Sequence, residues 1–387
     1  RVPLTPSQCK FLMERNPEIE IVVQPCKYRC FTNEEFTYQG IPLNEDVSGC
    51  DILLGVKEVP KDLLLPNKTY IFFSHVIKKQ QRNRKMLQAV IEKKIRLIDW
   101  ECMKDKKGKR VIAFGRWAGI VGAYHALRMI GFRTSKFRLR QMIDCLNFAE
   151  AQKELEKLDL PNWKMVLTGT GRVSEGAAFM LDVAGIKKVA PYNFCYNEFE
   201  EPVYTQLSSA DMYHKEGEEK FNTENYHAHP QEYKSSFYPF TKAADIMING
   251  IYWDKRIPVF FTKEQMKEKD FRIKIISDIT CDVAPESSIP STLYASSIAD
   301  PYYGYDVTSG ELIQTFQEDS VDIMAIDNLP NELPRDASED FGNMIISRII
   351  PELQKGGASE MITGATIALN GHLNAPFEYL TDYIQGG

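Results

Sequence analysis

The chain contains Gly169-Thr170-Gly171-Arg172-Val173-Ser174-Glu175-Gly176, which follows an apolar run at 165–167 and precedes a predicted helix at 177–181. In the order strand, glycine turn, helix, backbone N–H groups and a helix N-terminus face a pyrophosphate. The third glycine comes two residues late for G-x-G-x-x-G, and no Asp or Glu lies at 187–192, where a ribose-binding acid is expected. The stretch therefore indicates either a dinucleotide-binding turn or an ordinary tight turn.

Composition limits the class of protein. The 387 residues are 43% hydrophobic and 26% charged, values typical of a globular chain long enough for two domains. The net charge of −6 argues against general nucleic-acid binding. No apolar run approaches the ~20 residues of a membrane span, and no secretory signal is visible. We therefore expect a cytoplasmic protein with neither membrane nor nucleic-acid partners.

The cysteines and histidines do not predict a metal site. The eight cysteines are scattered, and the one close pair, Cys26 and Cys30, lacks a second pair or a nearby His. The histidine pair His227 and His229 has no supporting Cys or acid and is interpreted as a loop feature. We expect free thiols in a reducing compartment and no metal.

Short apolar strands alternate with helices along most of the chain, a pattern typical of parallel α/β sheets. In the first part we predict strands at 19–23, 52–56, 70–74 and 95–99 and a helix at 86–94. The small-residue segment 118–130 predicts a long buried helix. A second series has strands at 165–168, 188–190, 245–249, 273–277 and 322–326, and the last fifty residues are predicted helical at 337–353 and 359–383.

The predicted fold is α/β, with two Rossmann-like doubly wound parallel-sheet domains and a cleft between them. Residues 1–125 form the substrate-binding domain, completed by C-terminal helices at 336–387. Residues 126–335 form the nucleotide-binding domain. The aromatic-rich segment 197–240 is long for a connection and is interpreted as an insertion with small elements of its own.

Ligands bind at the carboxyl ends of strands in such sheets, so the loops that follow the strands are candidate sites. In the first domain these loops carry ionisable or polar side chains, namely Lys57, Glu58, His75, Lys78, Lys79, Gln80, Asp99, Glu101 and Arg110. Taken alone, each of these residues has an alternative interpretation as a solvated side chain or one paired within the protein. Together they favour a site in which Arg110 binds carboxylates while Lys57 and His75 move protons.

In the second domain the corresponding loops follow the strands at 245–249, 273–277 and 322–326. They supply candidate cofactor contacts at Ile251, Tyr252, Asp278, Thr280, Ile326, Asp327 and Leu329, beside Gly169, Gly171, Arg172 and Val173 of the glycine turn. Asp327 has two equal interpretations, as an acceptor for ribose hydroxyls or as a cap for the following turn.

An ordered set of segments resembles lysine-forming saccharopine dehydrogenase, whose fold is shared with alanine dehydrogenase and the transhydrogenase NAD-binding subunit. The segments are Arg1-x-x-Leu4-Thr5-Pro6, 55–60 (GVKEVP), 73–75 (FSH), 110–115 (RVIAFG), 248–253 (INGIYW) and 326–338 (IDNLPNELPRDAS). The insertion around 200–240 also resembles the lysine–ketoglutarate reductase part of bifunctional lysine-degrading enzymes. The resemblance covers nearly the whole chain.

The resemblance implies an NAD(P)-dependent oxidoreductase that acts on the CH–NH group of saccharopine. In the reductive direction the ε-amine of lysine condenses with 2-oxoglutarate, and a reduced nicotinamide, NAD(H) or NADP(H), reduces the imine. Lys57 and His75 match the acid–base pair, and Glu58 and Glu101 would balance charge near them. Arg1, Gln80, Arg110 and Phe114 match substrate-contacting positions. Gly171, Arg172, Tyr252 and Asp327 match cofactor-contacting positions.

The sequence departs from the family's pattern in the cofactor domain. Fungal lysine-forming enzymes have an acid at the end of the second strand of that domain, where we place Pro191-Tyr192-Asn193, preceded by Lys187 and Lys188. A basic residue there can accept a 2′-phosphate, so both NAD and NADP stay open. Val173 replaces a family cysteine. The alternatives are a related amino-acid dehydrogenase, such as alanine dehydrogenase or an opine-type enzyme, and a non-catalytic nucleotide sensor.

Overall fold

The structure is a computed structural model that describes residues 1–356 and 359–386. The chain divides into two compact units: Arg1–Phe114 with Pro334–Gly387, and Gly115–Leu333. Each unit is built on a sheet with three or more parallel strands and flanking helices, which confirms the predicted α/β class.

Fifteen strands occur within the described residues. They are β1 (Ile52–Lys57), β2 (Thr69–Phe73), β3 (Arg96–Asp99), β4 (Lys164–Thr168), β5 (Lys187–Lys188), β6 (Val203–Leu207), β7 (Tyr213–His214), β8 (Lys234–Ser235), β9 (Ile246–Asn249), β10 (Ile275–Asp278), β11 (Tyr302–Asp306), β12 (Leu312–Ile313), β13 (Ser320–Met324), β14 (Thr366–Leu369) and β15 (His372–Leu373).

Fifteen α-helices accompany them in the same part of the chain. They are α1 (Pro6–Arg15), α2 (Asn33–Tyr38), α3 (Arg84–Glu92), α4 (Gly115–Thr134), α5 (Phe148–Glu154), α6 (Arg172–Val183), α7 (Pro191–Tyr196), α8 (Ser209–Met212), α9 (Thr223–Ala228), α10 (Tyr238–Ala243), α11 (Lys263–Met266), α12 (Pro334–Met344), α13 (Ile350–Leu353), α14 (Glu360–Ala365) and α15 (Thr381–Gln385). A π-helical turn, Ile345–Ile349, joins α12 to α13.

The sheet of the first unit has the order β1-β2-β3-β14-β15. Strands β1, β2 and β3 are parallel, whereas β14 and β15 run antiparallel at one edge. Helix α3 connects β2 to β3 and buries Met86, Leu87 and Val90, which lie on one helical face. The carboxyl ends of β1, β2 and β3 therefore lie at one edge of this sheet.

The sheet of the second unit has the order β12-β11-β13-β10-β9-β4-β6-β5. The strands from β13 to β5 are parallel, and β11 and β12 form an antiparallel edge. From β4 the chain continues to β5 and β6 on one side and then to β9, β10 and β13 on the other. The carboxyl ends of β4 and β9 are thus a topological switch point, where such sheets bind ligands.

Helix α4 lies wholly in the second unit and explains why the boundary is at 114/115 and not at the predicted 125/126. The helix is apolar on all sides, and residues 119–131 are all buried, as predicted for 118–130. It packs closely on α6 because Gly119 and Gly176 have no side chains. A Cβ at Gly119 would lie 1.8 Å from the Val173 carbonyl oxygen, and one at Gly176 would lie 2.0 Å from that of Arg116.

Three predictions of secondary structure are wrong. No strand forms at 19–23, where Val23 makes one isolated bridge to Leu43. The predicted helix 359–383 is instead α14, the β14–β15 hairpin, a 3-10 helix Ala375–Leu380 and α15. The strand beside β4 is β6, inside the predicted insertion, and β5 is an exposed outer strand. Within 197–240 only β6 belongs to this sheet, and the part after β6 contains the separate antiparallel pair β7–β8.

Three features of the described residues bear on the class of protein. No helix there is both long and apolar enough to cross a membrane. Those residues also hold no group of three or more His, Cys, Asp or Glu side chains suited to a metal ion. The eight cysteines, all in the described ranges, are free thiols.

Candidate functional site

A β-bulge at the end of β1 sets the direction of Lys57. Leu54 pairs with Ile71, but Lys57 pairs with Phe73, so β1 has one extra residue between these pairs. The Trp100 indole N–H donates to the carbonyl of Gly55 within the bulge, at 2.8 Å. Bulges redirect side chains beside active sites, and this one leaves Lys57 exposed at the end of the strand.

Glu58, His75 and Gln80 each have a buried polar atom without a hydrogen-bond partner among the described residues. These atoms are Glu58 Oε2, His75 Nε2 and Gln80 Oε1. Glu58 follows β1, and the other two lie in the loop after β2. Buried polar groups are normally paired, so each of these atoms calls for a partner such as a water or a ligand. The adjacent carboxyl ends of β1 and β2 thus carry three unsatisfied groups.

His75 is held by the ends of β2 and β3. Its backbone is left-handed, with φ of 55°, which is uncommon outside glycine. The preceding Ser74 donates its amide to Asp99 Oδ2 at 3.0 Å and its hydroxyl to the same oxygen, and Asp99 Oδ1 accepts the amide of Glu101 at 2.7 Å. The buried Asp99 therefore fixes the loops that carry His75 and Glu101.

Glu101 lies among three basic side chains. Its carboxylate oxygens are 3.4 Å from Lys78 Nζ, 3.6 Å from Arg110 Nη1 and 4.0 Å from His75 Nδ1. Burial, and then the charge of Lys57, lowers the pKa of His75, while Glu58 and Glu101 oppose this shift. His75 is therefore a neutral imidazole at neutral pH, the form that accepts a proton.

Arg1 and Arg110 are both held against aromatic rings. The Arg110 guanidinium carbon lies 5.4 Å from the Phe73 ring centroid, and Nε donates to the carbonyl of Ile112 at 2.9 Å. The guanidinium carbon of Arg1 lies 4.2 Å from the ring centroid of Phe114. Burial lowers the pKa of Arg1 to about 10, so it stays cationic at neutral pH. The first unit thus presents two oriented guanidinium groups, which suit carboxylates.

Replacing Glu101 with glutamine is expected to lower the pKa of His75 further. The change removes a nearby negative charge and leaves the cations Lys78 and Arg110 without its compensation. An NMR titration of the His75 ring measures the shift. Glu92→Gln, an exposed change in the same unit, is the matched control. A His75 pKa that rises or stays unchanged in the Glu101→Gln variant would contradict this electrostatic account.

In the second unit the glycine turn begins at the end of β4. Gly169 has φ of +89°, a conformation that other residues rarely adopt. Gly171 is the N-cap of α6, and Arg172 and Val173 are the first two residues of the helix. Because glycine has no side chain, Gly171 cannot cap the first backbone amides of the helix with one. A Cβ at Gly171 would meet no atom within 4 Å. This open helix N-terminus fits a phosphate group.

The Ser174 hydroxyl links the glycine turn to the loop after β9. It lies 2.8 Å from the carbonyl oxygen of Thr168 and 3.1 Å from that of Gly250. A Cβ at Gly169 or Gly250 would lie 2.8 or 2.7 Å from this hydroxyl, so the close approach requires both glycines. Ser174 thereby fixes the spacing of two loops at the switch point.

A buried network continues from β4 across β9 to β10. The Thr168 hydroxyl donates to Asn249 Oδ1 at 2.7 Å, and Asn249 Nδ2 donates to Asp278 Oδ1 at 2.9 Å. Asp278 also accepts the hydroxyls of Thr280 at 2.7 Å and Thr292 at 2.6 Å. Burial raises its pKa. Asp278 is fully buried and Thr280 is half-buried, and this network joins the ends of three neighbouring strands.

The remaining predicted cofactor residues lie in the loops that follow β9 and β13. Tyr252 is 88% exposed and Ile251 is half-buried, whereas Ile326 and Leu329 are buried. Asp327 is exposed, and it does not cap the 3-10 turn Leu329–Asn331, which has no side-chain cap. The capping interpretation is therefore wrong, and the interpretation in which the carboxylate accepts hydrogen bonds from ribose hydroxyls stays a prediction.

Sequence reasoning did not find Trp100, Ser174 or Asn249 as contributors to the site. Ser174 lies inside the quoted glycine stretch, and Asn249 directly precedes Gly250 at a predicted strand end, so their positions were a usable signal. The sequence carries no such signal for Trp100, because its role depends on a bulge in β1 and strand register is not visible in one sequence.

The chain has the α/β fold that is found in an alanine dehydrogenase and in a transhydrogenase. Residues 1–121 match the family described as alanine dehydrogenase/PNT, N-terminal domain. The structure resembles an L-alanine dehydrogenase with a TM-score of 0.66 at 12% identity, covering 99% of this chain and 96% of that one. It also resembles a transhydrogenase from Sinorhizobium meliloti, with a TM-score of 0.53 at 11% identity and coverage of 97% and 95%. These likenesses show the fold.

More particularly, the chain is homologous to saccharopine dehydrogenase and to alpha-aminoadipic semialdehyde synthase, as its motifs indicated. It is 28% identical to the mitochondrial alpha-aminoadipic semialdehyde synthase of Bos taurus, over 98% of this chain and 46% of that protein. It is 25% identical to the saccharopine dehydrogenase (NAD(+), L-lysine-forming) of Emericella nidulans, over 90% of this chain and 88% of that protein. The chain thus spans about half the length of the synthases it matches.

Proposed function

We propose that this protein is an NAD(P)-dependent saccharopine dehydrogenase of the L-lysine-forming type, interconverting saccharopine with L-lysine and 2-oxoglutarate. The observation that carries the proposal is the group of unsatisfied buried atoms on Glu58, His75 and Gln80, beside Lys57. Homology to amino-acid dehydrogenases with this reaction in their names supports it. The predicted cytoplasmic location stays a prediction.

The first unit has the charges that this substrate needs. Saccharopine carries three carboxylates, and Arg1 and Arg110 each offer a planar donor group held against an aromatic ring. Phe114 supports Arg1 and stacks on Phe341, with ring centroids 4.4 Å apart. The Gln80 amide, whose oxygen lacks a partner, is a further polar contact. These side chains bind and orient the substrate.

Lys57 and His75 move the protons. In the reductive direction the ε-amine of lysine must lose a proton before it attacks the keto carbon of 2-oxoglutarate, and Lys57 exchanges protons with that amine. The resulting carbinolamine loses its hydroxyl as water, and His75 serves that step as its acid and base. Glu58 and Glu101 offset the positive charge around both groups.

The residues of the second unit fit a dinucleotide. The open space at Gly171 and the uncapped start of α6 suit a pyrophosphate, with Arg172 and Val173 in the first helical turn. Gly169, Ile251, Tyr252, Ile326, Asp327 and Leu329 are the other proposed contacts, and Asp278 and Thr280 hold two of these loops. The dinucleotide supplies or accepts the hydride. The protein's part is to bind and orient it.

We propose NADP(H) as the preferred cofactor because β6, the strand beside β4, ends without an acid. It ends at Leu207-Ser208, and the following Asp211 accepts hydrogen bonds from the Ser208 amide at 2.8 Å and hydroxyl at 2.6 Å. Lys188 Nζ donates to Gln206 Oε1 at 2.7 Å, and Gln206 Nε2 donates to the carbonyl of Gly169 at 3.0 Å. Lys188 is thus a cation two hydrogen bonds from the glycine turn, suited to a 2′-phosphate.

Lys188→Ala is therefore expected to weaken NADPH binding roughly tenfold and to leave NADH binding unchanged, since only NADPH has the phosphate. Titration of each reduced dinucleotide, followed by nicotinamide fluorescence without substrate, measures both constants. Lys187→Ala is the control, because Lys187 faces Glu201 at 3.4 Å. Tighter wild-type binding of NADH than NADPH, or an equal loss of both in the variant, would contradict the proposal.

One assay separates the proposed reaction from its alternatives. The protein is mixed with NADH or NADPH, lysine and 2-oxoglutarate, and nicotinamide absorbance is followed. Oxidation that requires both substrates is expected. No oxidation with either cofactor rejects the proposal. Oxidation with pyruvate and ammonia instead supports an alanine dehydrogenase, and dinucleotide binding without any turnover supports a nucleotide sensor.

A further inference from the structure

The loop from His75 to Gln80 has a backbone that its own sequence does not favour. His75 and Lys79 both adopt left-handed conformations, with φ of 55° and 52°, at the two ends of the 3-10 turn Val76–Lys78. Neither is glycine, so such conformations persist only where surrounding structure holds them. This loop also presents two of the unsatisfied polar atoms, those of His75 and Gln80.

Two tyrosines from the C-terminal end of the described chain bond to carbonyls of this loop. The Tyr379 hydroxyl donates to the carbonyl of Ile77 at 3.3 Å, and the Tyr383 hydroxyl donates to that of Gln80. Lys79 Nζ lies 5.6 Å from the centroid of the Tyr379 ring. Two residues about three hundred positions later in the chain therefore contact the loop at three positions, Ile77, Lys79 and Gln80.

The segment that carries these tyrosines is itself anchored in the core of the first unit. Phe377, Leu380 and Tyr383 are buried against residues of β2 and α3. The 3-10 helix Ala375–Leu380 leads directly into α15, so both hydroxyls belong to one packed element. An anchored element with two donors can hold a loop that is strained in isolation.

We propose that the segment Ala375–Gln385 is a positioning element that holds the His75–Gln80 loop in its substrate-binding conformation. Its effect on catalysis rests on the proposed function, in which His75 and Gln80 meet substrate. Tyr379 and Tyr383 act through the loop and touch no reacting atom. Without their hydrogen bonds the loop relaxes toward right-handed backbone conformations, and His75 and Gln80 no longer share one arrangement.

The test is the Tyr379→Phe/Tyr383→Phe double variant, which removes two hydroxyls and keeps both rings. Tyr379→Phe alone, at a half-exposed position, is the milder variant, and Tyr38→Phe, at an 87% exposed tyrosine of the same unit, is the control. Hydrogen exchange of the amides of Lys79 and Asn83, which bond within this loop to Val76 and Gln80, reports its opening. Steady-state kinetics and dinucleotide titration provide the functional comparison.

The double variant is expected to exchange these amides roughly tenfold faster and to lose roughly tenfold in kcat/KM for 2-oxoglutarate, with dinucleotide Kd unchanged. Unchanged exchange in the double variant would overturn the proposal, as would an equal loss of dinucleotide affinity. A wild-type protein that turns over no substrate would defeat the proposed function alone, because the exchange measurement still decides whether the segment holds the loop.

Discussion

Lys57→Met is expected to lower turnover by ~10²–10⁴-fold while dinucleotide affinity stays unchanged. The variant keeps an unbranched chain of similar size at the end of β1 but removes the amine that we propose exchanges protons with the substrate. The glycine turn lies in the other unit and is not altered. The measurements are steady-state rates with lysine and 2-oxoglutarate, and fluorescence titration of the reduced dinucleotide.

Lys61→Met is the matched control for this prediction. Lys61 is an exposed lysine four positions later, in the 3-10 turn Lys61–Leu63, and has no proposed part in the reaction. Its turnover should equal that of the wild-type protein. A Lys57→Met variant that loses turnover and dinucleotide affinity to the same degree would indicate a structural role for Lys57.

Gly176→Ala and Gly171→Ala are expected to separate folding of the second unit from dinucleotide binding. At Gly176 the new Cβ would lie 2.0 Å from the backbone carbonyl oxygen of Arg116, so α4 and α6 must move apart. We expect a loss of about 3 kcal/mol in the free energy of unfolding. At Gly171 the Cβ meets no protein atom within 4 Å, so stability stays within about 0.5 kcal/mol.

The same Gly171→Ala change is expected to weaken dinucleotide binding at least tenfold, because the second glycine of such a turn lets the backbone approach the pyrophosphate. Denaturant unfolding and dinucleotide titration of both variants give the comparison. A stable Gly176→Ala protein would show that the helices are not in close contact. A Gly171→Ala protein with normal affinity would show that the pyrophosphate lies elsewhere.

The sequence predicted the parts of the fold that depend on local pattern. Alternating apolar runs and helices indicated α/β architecture, and the small apolar residues of 118–130 indicated a buried helix, which α4 confirms. The strand, glycine turn and helix at 165–183 are also present. In each case the information lies within about twenty neighbouring residues, so a single sequence is sufficient to predict the element.

The order of the strands required tertiary information. Lys187–Lys188 and Val203–Leu207 are both short extended segments, and which one pairs with β4 depends on packing across the sheet. The four-residue run of β14 was mistaken for helix because short apolar runs fit either period. Because β6 lies beside β4, the position that corresponds to the acid of the fungal enzymes is the end of β6, and the placement of that position at Pro191-Tyr192-Asn193 is wrong.

The candidate site shows the same division. The prediction of Lys57, His75, Glu101 and Arg110 as site residues rests on the rule that loops at strand ends converge at one sheet edge, and the structure places Glu101 within 4.0 Å of His75 and 3.6 Å of Arg110. The residues that hold them were not found. The contacts of Trp100 with the β1 bulge and of Tyr383 with the His75–Gln80 loop join distant parts of the chain, and no local pattern encodes them.

In the proposed reaction the ε-amine of lysine becomes the bridging nitrogen of saccharopine. The most direct measurement uses lysine labelled with heavy nitrogen at the ε-amine, together with 2-oxoglutarate and reduced dinucleotide, and analyses the product by mass spectrometry. We predict a condensation product with the mass of saccharopine that retains the label. Dinucleotide oxidation that gives no such product, or that yields glutamate or alanine from free ammonia, would contradict the account.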